Sequence, residues 1–241
     1  MIPFLGEFIG TAILVVLGNG VVANGVLDKT KGFNAGWIAI TFGWAMAVFA
    51  GVFVASWYSK AHLNPAVTLA FAAIDQFPWE DVPAYLAAQF LGAMTGALFV
   101  WIAYRQHFDE TTSANNKLAA FCTGPALRHS TNNFATECIG TFIFMLGVLH
   151  IATPASTLGG LDALPVALLV LGIGLSFGGP TGYAINPARD LGPRIMHAIL
   201  PIRGKGTSDW QYAWIPVVAP IVGALLAAVV YYFIKVPAEL K

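Results

Sequence analysis

The sequence predicts an all-α transmembrane protein with six spanning helices and two half-helices that enter the membrane without crossing it. Three observations carry this prediction. Hydrophobic residues make up 57% of the chain and charged residues only 10%, against about 25% charged residues in a typical soluble domain. Six apolar segments are long enough to cross a bilayer. The triplet Asn-Pro-Ala begins at Asn64 and again at Asn186, each time opening an apolar run too short to cross.

The composition also excludes several classes of function. A mean hydropathy of +0.71 would leave a soluble protein with apolar surface that it could not bury. The 12 basic and 12 acidic residues balance, so nothing indicates a nucleic-acid partner. Cys122 and Cys138 fit no metal-binding spacing. No nucleophile–base pair, metal cluster or phosphate-binding loop is present, so we expect no enzyme activity, no catalytic residue, no metal and no cofactor.

The spans follow one another with short loops between them. No polar segment and cleavage site precede the first apolar stretch, which is therefore interpreted as a span and not as a cleaved signal. The predicted spans cover residues 4–27, 35–58, 82–104, 131–151, 163–179 and 211–234.

Each Asn-Pro-Ala triplet predicts the start of a half-helix, over about residues 64–74 and 186–200. Asn is a strong N-cap, Pro suits the first helical position, and both runs fall below the roughly 20 residues that a spanning helix needs. Unpaired N–H groups at such a start are tolerated in a membrane only where they are buried in protein or line a wet cavity. Two of them indicate half-helices that meet at a water-filled path.

The two halves of the chain look alike on either side of a polar connector at residues 105–130. Residues 7–11, Glu-Phe-Ile-Gly-Thr, are echoed by residues 137–141, and Gly92-Ala93 by Gly223-Ala224. Each half thus has three spans with a half-helix between the second and third. Because an odd number of spans inserts the second half upside down, inverted repeats over about 1–110 and 125–241 are expected within one membrane channel domain, 1–241.

Arg189 is the most unusual residue of the second half-helix. A positive charge is disfavoured near a helix N-terminus, and an Arg at membrane depth is costly unless it faces water or a partner. These two conflicts with local rules make it a candidate functional residue. The alternative is a structural ion pair with Asp190.

The segments around the triplets, residues 61–68 and 182–190, resemble the two signature loops of the major intrinsic protein family, the aquaporins and glycerol facilitators. The resemblance covers essentially the whole chain. It implies a six-helix right-handed bundle in the plasma membrane, one pore per protomer, a homotetramer, and glycerol and water as permeants while protons and ions are excluded. Asp190 directly after Arg189 resembles the glycerol-conducting branch.

The resemblance also implies where the site residues lie. The selectivity filter comprises Trp44, Gly174, Tyr183 and Arg189. The junction comprises Asn64, Pro65, Ala66, Asn186, Pro187 and Ala188, with the Asn amides free to donate into the lumen. Carbonyls of extended backbone line the rest, at Lys60, Ala61, His62, Leu63, Gly182, Tyr183, Ala184 and Ile185. Tyr183 departs from the usual phenylalanine, and its hydroxyl adds bulk and a hydrogen-bonding group.

Three acidic residues are expected to support the loops: Glu7 and Glu137, buried in the spans, by accepting hydrogen bonds from loop N–H groups, and Asp190 by steadying the start of the half-helix and its loop. The alternative role for Glu7 and Glu137 is a proton relay. His62 is either a packed neutral side chain or a pH sensor.

Other functions remain open from the sequence. A channel for small organic acids or dihydroxyacetone has the same general features. Trp44 and Gly174 disfavour a water-selective pore. A secondary transporter also uses inverted repeats and broken helices, but the spans carry no cluster of carboxylates that would bind a coupling ion.

Overall fold

A computed structural model describes residues 1–151 and 161–234, and these contain ten α-helices and no β-strand. Six of the helices are long and apolar enough to span a membrane. These six are α1 (Ile2–Val26), α2 (Gly36–Ala55), α4 (Val82–Ala103), α7 (Ser130–Ile151), α8 (Leu164–Thr181) and α10 (Ile215–Ile234). The half-helices are α3 (Pro65–Ala73) and α9 (Pro187–Ile199). The predicted fold class is confirmed, and most predicted boundaries lie within a few residues of the observed ones.

The connector at residues 105–130 differs from the sequence prediction, which placed no helix there. It contains two short helices, α5 (Arg105–Glu110) and α6 (Ala114–Ala119). The Ser113 side chain caps α6 by accepting from the backbone N–H of Asn116 at 3.2 Å. The Asn116 side chain in turn donates to the carbonyl of Val26 at 2.9 Å. Helices this short are marginal by themselves, so contacts with the end of α1 stabilise them.

The half-helices lie where the two repeats exchange contacts. In the first half α1 packs against α2 and α4, and in the second half α7 packs against α8 and α10. Across the halves, α3 packs against α10, α9 packs against α4, and α2 packs against α8. Each half-helix is therefore held by the last span of the opposite half, and α3 and α9 meet between them.

Two glycines allow the spans of each half to approach at backbone distance. A Cβ added at Gly92 of α4 would lie 2.4 Å from the carbonyl oxygen of Phe8 in α1. A Cβ at Gly223 of α10 would lie 2.2 Å from the carbonyl oxygen of Cys138 in α7. Both distances are far below van der Waals contact, so these pairs of helices can touch in this way only where glycine stands. Small residues serve the same purpose at helix interfaces in membranes generally.

We predict that Gly223→Ala destabilises the fold, because backbone atoms of α7 have to move to admit the methyl group. The expected loss is about 1–3 kcal/mol, as for other overpacked sites, and it is measured by thermal unfolding in detergent. Gly172→Ala in α8 is the matched control, since nothing lies within 4 Å of its added Cβ. Equal stability of the two variants would contradict the close α7–α10 contact.

Candidate solute pathway

The starts of the two half-helices are joined by a pair of reciprocal hydrogen bonds. The Oδ1 atom of Asn64 accepts from the N–H of Ala66 at 2.9 Å, and Oδ1 of Asn186 accepts from the N–H of Ala188 at 3.0 Å. Each side-chain amide then crosses to the opposite loop. Asn64 Nδ2 donates to the Ile185 carbonyl, and Asn186 Nδ2 donates to the Leu63 carbonyl, both at 2.8 Å.

These contacts modify the expected role of the asparagines. We expected both amides to be free to donate into the lumen, but one N–H of each is used in the cross-bond. An amide carries two N–H groups, so one remains for a solute. Both asparagines line the cavity described below, whereas Pro65, Ala66, Pro187 and Ala188 do not border it.

The sequence predicts extended backbone before each half-helix, but the observed backbone is not uniformly extended. In the first loop φ is +51° at both Ala61 and Leu63, and in the second it is +40° at Tyr183 and +43° at Ile185. Positive φ is costly for residues other than glycine, and most of all for a β-branched residue such as Ile185. The same alternating pattern in both loops shows that the fold imposes this conformation against local preference.

Buried carboxylates hold both loops in this conformation. Glu7 of α1 accepts from the N–H groups of His62 and Leu63 at 2.9 and 2.8 Å. Glu137 of α7 accepts from those of Ala184 and Ile185 at 2.9 and 3.0 Å. Loop N–H groups therefore point away from the lumen toward the spans.

The first loop has additional polar support that the sequence did not indicate. Ser59 Oγ and Gln89 Nε2 also donate to Glu7, each at 2.8 Å, and Gln89 donates to Thr68 Oγ1 at 3.0 Å. The carboxylate of Glu7 is thus surrounded by donors, an arrangement suited to a fixed acceptor and not to a relay that passes protons on.

His62 is packed against three aromatic rings, with centroids 5.0 Å from Phe71, 4.8 Å from Phe77 and 5.2 Å from Tyr85. Its Nδ1 lies 3.1 Å from Thr68 Oγ1. This environment agrees with the packed interpretation of the side chain, and no acidic side chain among the described residues forms an ion pair with the imidazole.

Trp44, Tyr183 and Arg189 come together from three different elements. All three are buried, and all three border the same cavity. The guanidinium carbon of Arg189 lies 4.0 Å from the centroid of the Trp44 ring, a cation–π arrangement. Among the described residues, the Arg189 side chain has no hydrogen-bond acceptor. Its N–H groups are therefore available to a solute.

Gly174 does not border the cavity. Its missing side chain leaves room for a neighbouring ring. A Cβ at Gly174 would lie 2.8 Å from Cζ of Tyr183 and 3.0 Å from Cγ2 of Thr41. The tyrosine ring thus occupies the volume that a side chain at position 174 would take. Trp37 completes the contact, with its ring edge-on to Tyr183 at 5.9 Å and its Nε1 donating to the Gly174 carbonyl at 3.0 Å.

The Tyr183 hydroxyl does not add a polar group to the lumen, contrary to what the sequence suggested. Its oxygen is buried and has no hydrogen-bond partner among the described residues. The ring carbons next to it pack against α8 and α2, and the hydroxyl is recessed with them.

Asp190 does not pair with Arg189. One of its oxygens accepts from Arg194 Nε at 2.9 Å, and the other accepts from the backbone N–H and the hydroxyl of Thr123 at 2.7 and 2.6 Å. Arg194 was missed in the sequence analysis. Its spacing of four residues from Asp190, in a segment at membrane depth, is the signal that could have identified it.

The C-terminal end of α9 is capped by a lysine of the following connector. The amine of Lys205 donates to the carbonyls of His197, Ala198 and Leu200 at 2.8, 2.6 and 2.7 Å. Partial burial there lowers the pKa of the Lys205 amine from its ordinary value. The contact satisfies carbonyls that the end of a helix leaves unpaired.

A cavity of about 730 Å³ connects these groups. It follows α2 from Trp44, near the middle of the helix, to Trp57 beyond its end, where the exposed Lys60 also borders it. Both loops contribute to its wall. Of the eight residues predicted to offer carbonyls, all but Gly182 border the cavity. No cluster of metal-binding side chains occurs in the part of the chain that the structure describes.

Six spans, two half-helices meeting end to end and a cavity that both loops line define a pore-forming membrane protein. The chain belongs to the major intrinsic protein family, whose family profile matches residues 2–231. It is a multi-pass channel of the plasma membrane and not an enzyme.

Related proteins cover nearly the whole chain. It is 54% identical over 232 residues to the "Probable glycerol uptake facilitator protein" of Thermotoga maritima, covering 96% of this chain and 98% of the relative. It is 51% identical over 231 residues to the glycerol uptake facilitator protein of Streptococcus pneumoniae, with the same coverage of 96% and 98%. The X-ray structure of the aquaglyceroporin from Plasmodium falciparum superposes with a TM-score of 0.86 at 35% identity, covering 98% of this chain and 96% of that one.

We predict that Glu137→Gln lowers both stability and osmotic water flux. Ala184 and Ile185 bond to different carboxylate oxygens, and the amide nitrogen that replaces one of them cannot accept a hydrogen bond. One buried N–H left unpaired costs about 1–3 kcal/mol. Thermal unfolding in detergent and light scattering of proteoliposomes measure the two effects. Glu80→Gln, at an exposed position, is the control and should match the wild type. An unchanged Glu137→Gln would show that the second loop does not need its carboxylate.

Proposed function

We propose that the protein is a passive channel for glycerol and other small uncharged solutes, which also conducts water and excludes protons and ions. The observation that carries this proposal is the arrangement of Arg189. Its guanidinium lies over the Trp44 ring with no acceptor among the described residues, at a cavity that Tyr183 also borders.

A polyol has two chemically different sides, and the proposed filter offers a surface for each. The faces of aromatic rings suit the C–H side of glycerol. The free N–H groups of Arg189 donate to its hydroxyl oxygens. Farther along, the remaining amide N–H of Asn64 and Asn186 offers the next pair of donors. A solute that enters the pore loses hydrogen bonds with water and gains hydrogen bonds with these groups. The number of hydrogen bonds it makes therefore stays roughly constant.

Positive potential accounts for the exclusion of cations and protons. The N-terminal ends of α3 and α9 meet at the junction, and each carries roughly half a positive charge. Arg189 adds a full charge nearby. Half-helix dipoles and a fixed Arg are the general explanation for proton exclusion in aquaporin-type pores.

Related proteins and the surface of the molecule support the proposal further. Both curated relatives described above are named as glycerol uptake facilitators.

The repeats over about 1–110 and 125–241 form one channel domain in this proposal, because each supplies one half-helix to the same pore. Four copies form a homotetramer, each with its own pore, and the exposed apolar side chains of the spans, such as Ile38, Phe42 and Phe99, face lipid or neighbouring copies.

The function is tested by light scattering of proteoliposomes exposed to glycerol, dihydroxyacetone, lactic acid at acidic pH, and an osmolyte that does not permeate. We expect glycerol flux that rises linearly with its gradient. Gly174→His makes the test specific to the pore, because the imidazole would displace the Tyr183 ring into the cavity and reduce glycerol flux more than water flux. Gly172→His, where space is open, is the control. Saturable or ion-coupled uptake would indicate a transporter instead.

We predict that Arg189→Val admits protons, since the filter loses its fixed charge while the pore stays open. A pH-sensitive dye inside proteoliposomes measures the leak. Arg203→Val, at an exposed position in the connector after α9, removes the same charge away from the pore and should leave the leak at the wild-type level. If Arg189→Val conducts water but remains proton-tight, Arg189 does not provide the electrostatic barrier.

A further inference from the structure

A second arginine of α9, Arg194, is fully buried and does not border the cavity. Its Nε donates to Asp190 at 2.9 Å, and neither side chain of this ion pair is exposed. Its other nitrogens donate to the carbonyls of Ser208, Asp209 and Thr123, at 2.8, 3.2 and 2.7 Å. A side chain with this many contacts and no access to the pathway acts through its neighbours.

The neighbour that matters is Asp190, which directly follows Arg189. Adjacent side chains of a helix do not face each other, but the charge of Asp190 acts on Arg189. A carboxylate left without its own partners would attract the guanidinium and offset the charge that repels cations. Here both Asp190 oxygens are already used by Arg194 and Thr123.

The other buried carboxylate whose charge reaches Arg189 is Glu137. Both of its oxygens accept from backbone N–H groups of the second loop, at Ala184 and Ile185. The structure therefore places two negative charges near Arg189 and gives each of them other partners.

We propose that Arg194 is a positioning residue that keeps Asp190 from neutralising Arg189, and so preserves the free donors and the positive charge of the filter. The proposal rests on the proposed function for the role of Arg189. It assigns Arg194 an electrostatic task in addition to its hydrogen bonds with three carbonyls, because its charge offsets that of Asp190. Removing one partner of a buried ion pair leaves the other charge unpaired, whereas replacing both partners often changes stability little.

This electrostatic role and a purely structural brace predict different outcomes for single variants. Arg194→Leu leaves Asp190 negative beside the filter, so we expect proton leak to rise about fivefold or more, since each 1.4 kcal/mol removed from a barrier raises a rate about tenfold, and glycerol flux to fall. Asp190→Asn leaves the filter positive, so proton exclusion should persist. A brace predicts the same defect in both variants, because each breaks the same ion pair.

The decisive comparison is the double variant Asp190→Asn/Arg194→Leu. It should return the proton leak of Arg194→Leu to near the wild-type level, because no negative charge remains to be held. Leak is measured with an internal pH dye at matched water flux, and thermal unfolding reports stability separately. A double variant that leaks as much as Arg194→Leu overturns the proposal. Lys29→Leu, which breaks the exposed ion pair with Glu110, is the matched control.

Two further outcomes keep the result interpretable. If Arg194→Leu does not fold, Arg194→Lys replaces it. The amine keeps the charge beside Asp190, so proton exclusion should hold even where stability falls, and a leaky Arg194→Lys would count against an electrostatic role. If the wild type passes water and excludes protons but does not pass glycerol, the proposed solute is wrong, while the proton measurements still test Arg194.

Discussion

The constraint on which the rest of the structure depends is the cost of starting a helix inside a membrane. Backbone N–H groups at such a start have no water to bond with, and each unsatisfied group costs several kcal/mol in hydrocarbon. The protein meets this constraint twice with an asparagine cap, and then uses the same two side chains to join the loops through Asn64–Ile185 and Asn186–Leu63. The strained backbone, the buried carboxylates and the glycine contacts all serve to hold these two starts together.

The two halves solve this shared problem with different side chains. In the first half, Glu7 is supported by Ser59 and Gln89 beyond the loop amides, and an aromatic cluster surrounds His62. In the second half, the polar support is concentrated on the helix itself, in Asp190 and Arg194. The backbone conformation of the two loops is thus the same, whereas the charged side chains that support them differ between the halves. The charged side chain at the cavity, Arg189, comes from the second half, whereas the first half supplies the Trp44 ring and the N-terminal end of α3.

The sequence contains enough information to predict the spans and half-helices, because apolar length and the capping preference of Asn-Pro are local properties. The meeting of Trp44, Tyr183 and Arg189 was implied by resemblance and is reproduced in the geometry around one cavity. What could not be predicted depends on contacts distant in the chain. The short helices α5 and α6 form against the end of α1, the Tyr183 ring packs over Gly174, and Arg194 takes up Asp190 only once Thr123 and Ser208 lie nearby.

The exchange of contacts between repeats has a consequence for how the chain is assembled during synthesis. The first half-helix, α3, packs against α10, which is synthesised after the other five described spans, and the Asn64 amide finds its acceptor only in the loop at Ile185. The first three spans can therefore enter the bilayer early, but α3 has no complete set of partners until α10 arrives. Closure of the pore is a late event in biogenesis, and a chain truncated before α10 would leave the first half-helix without the wall it packs against.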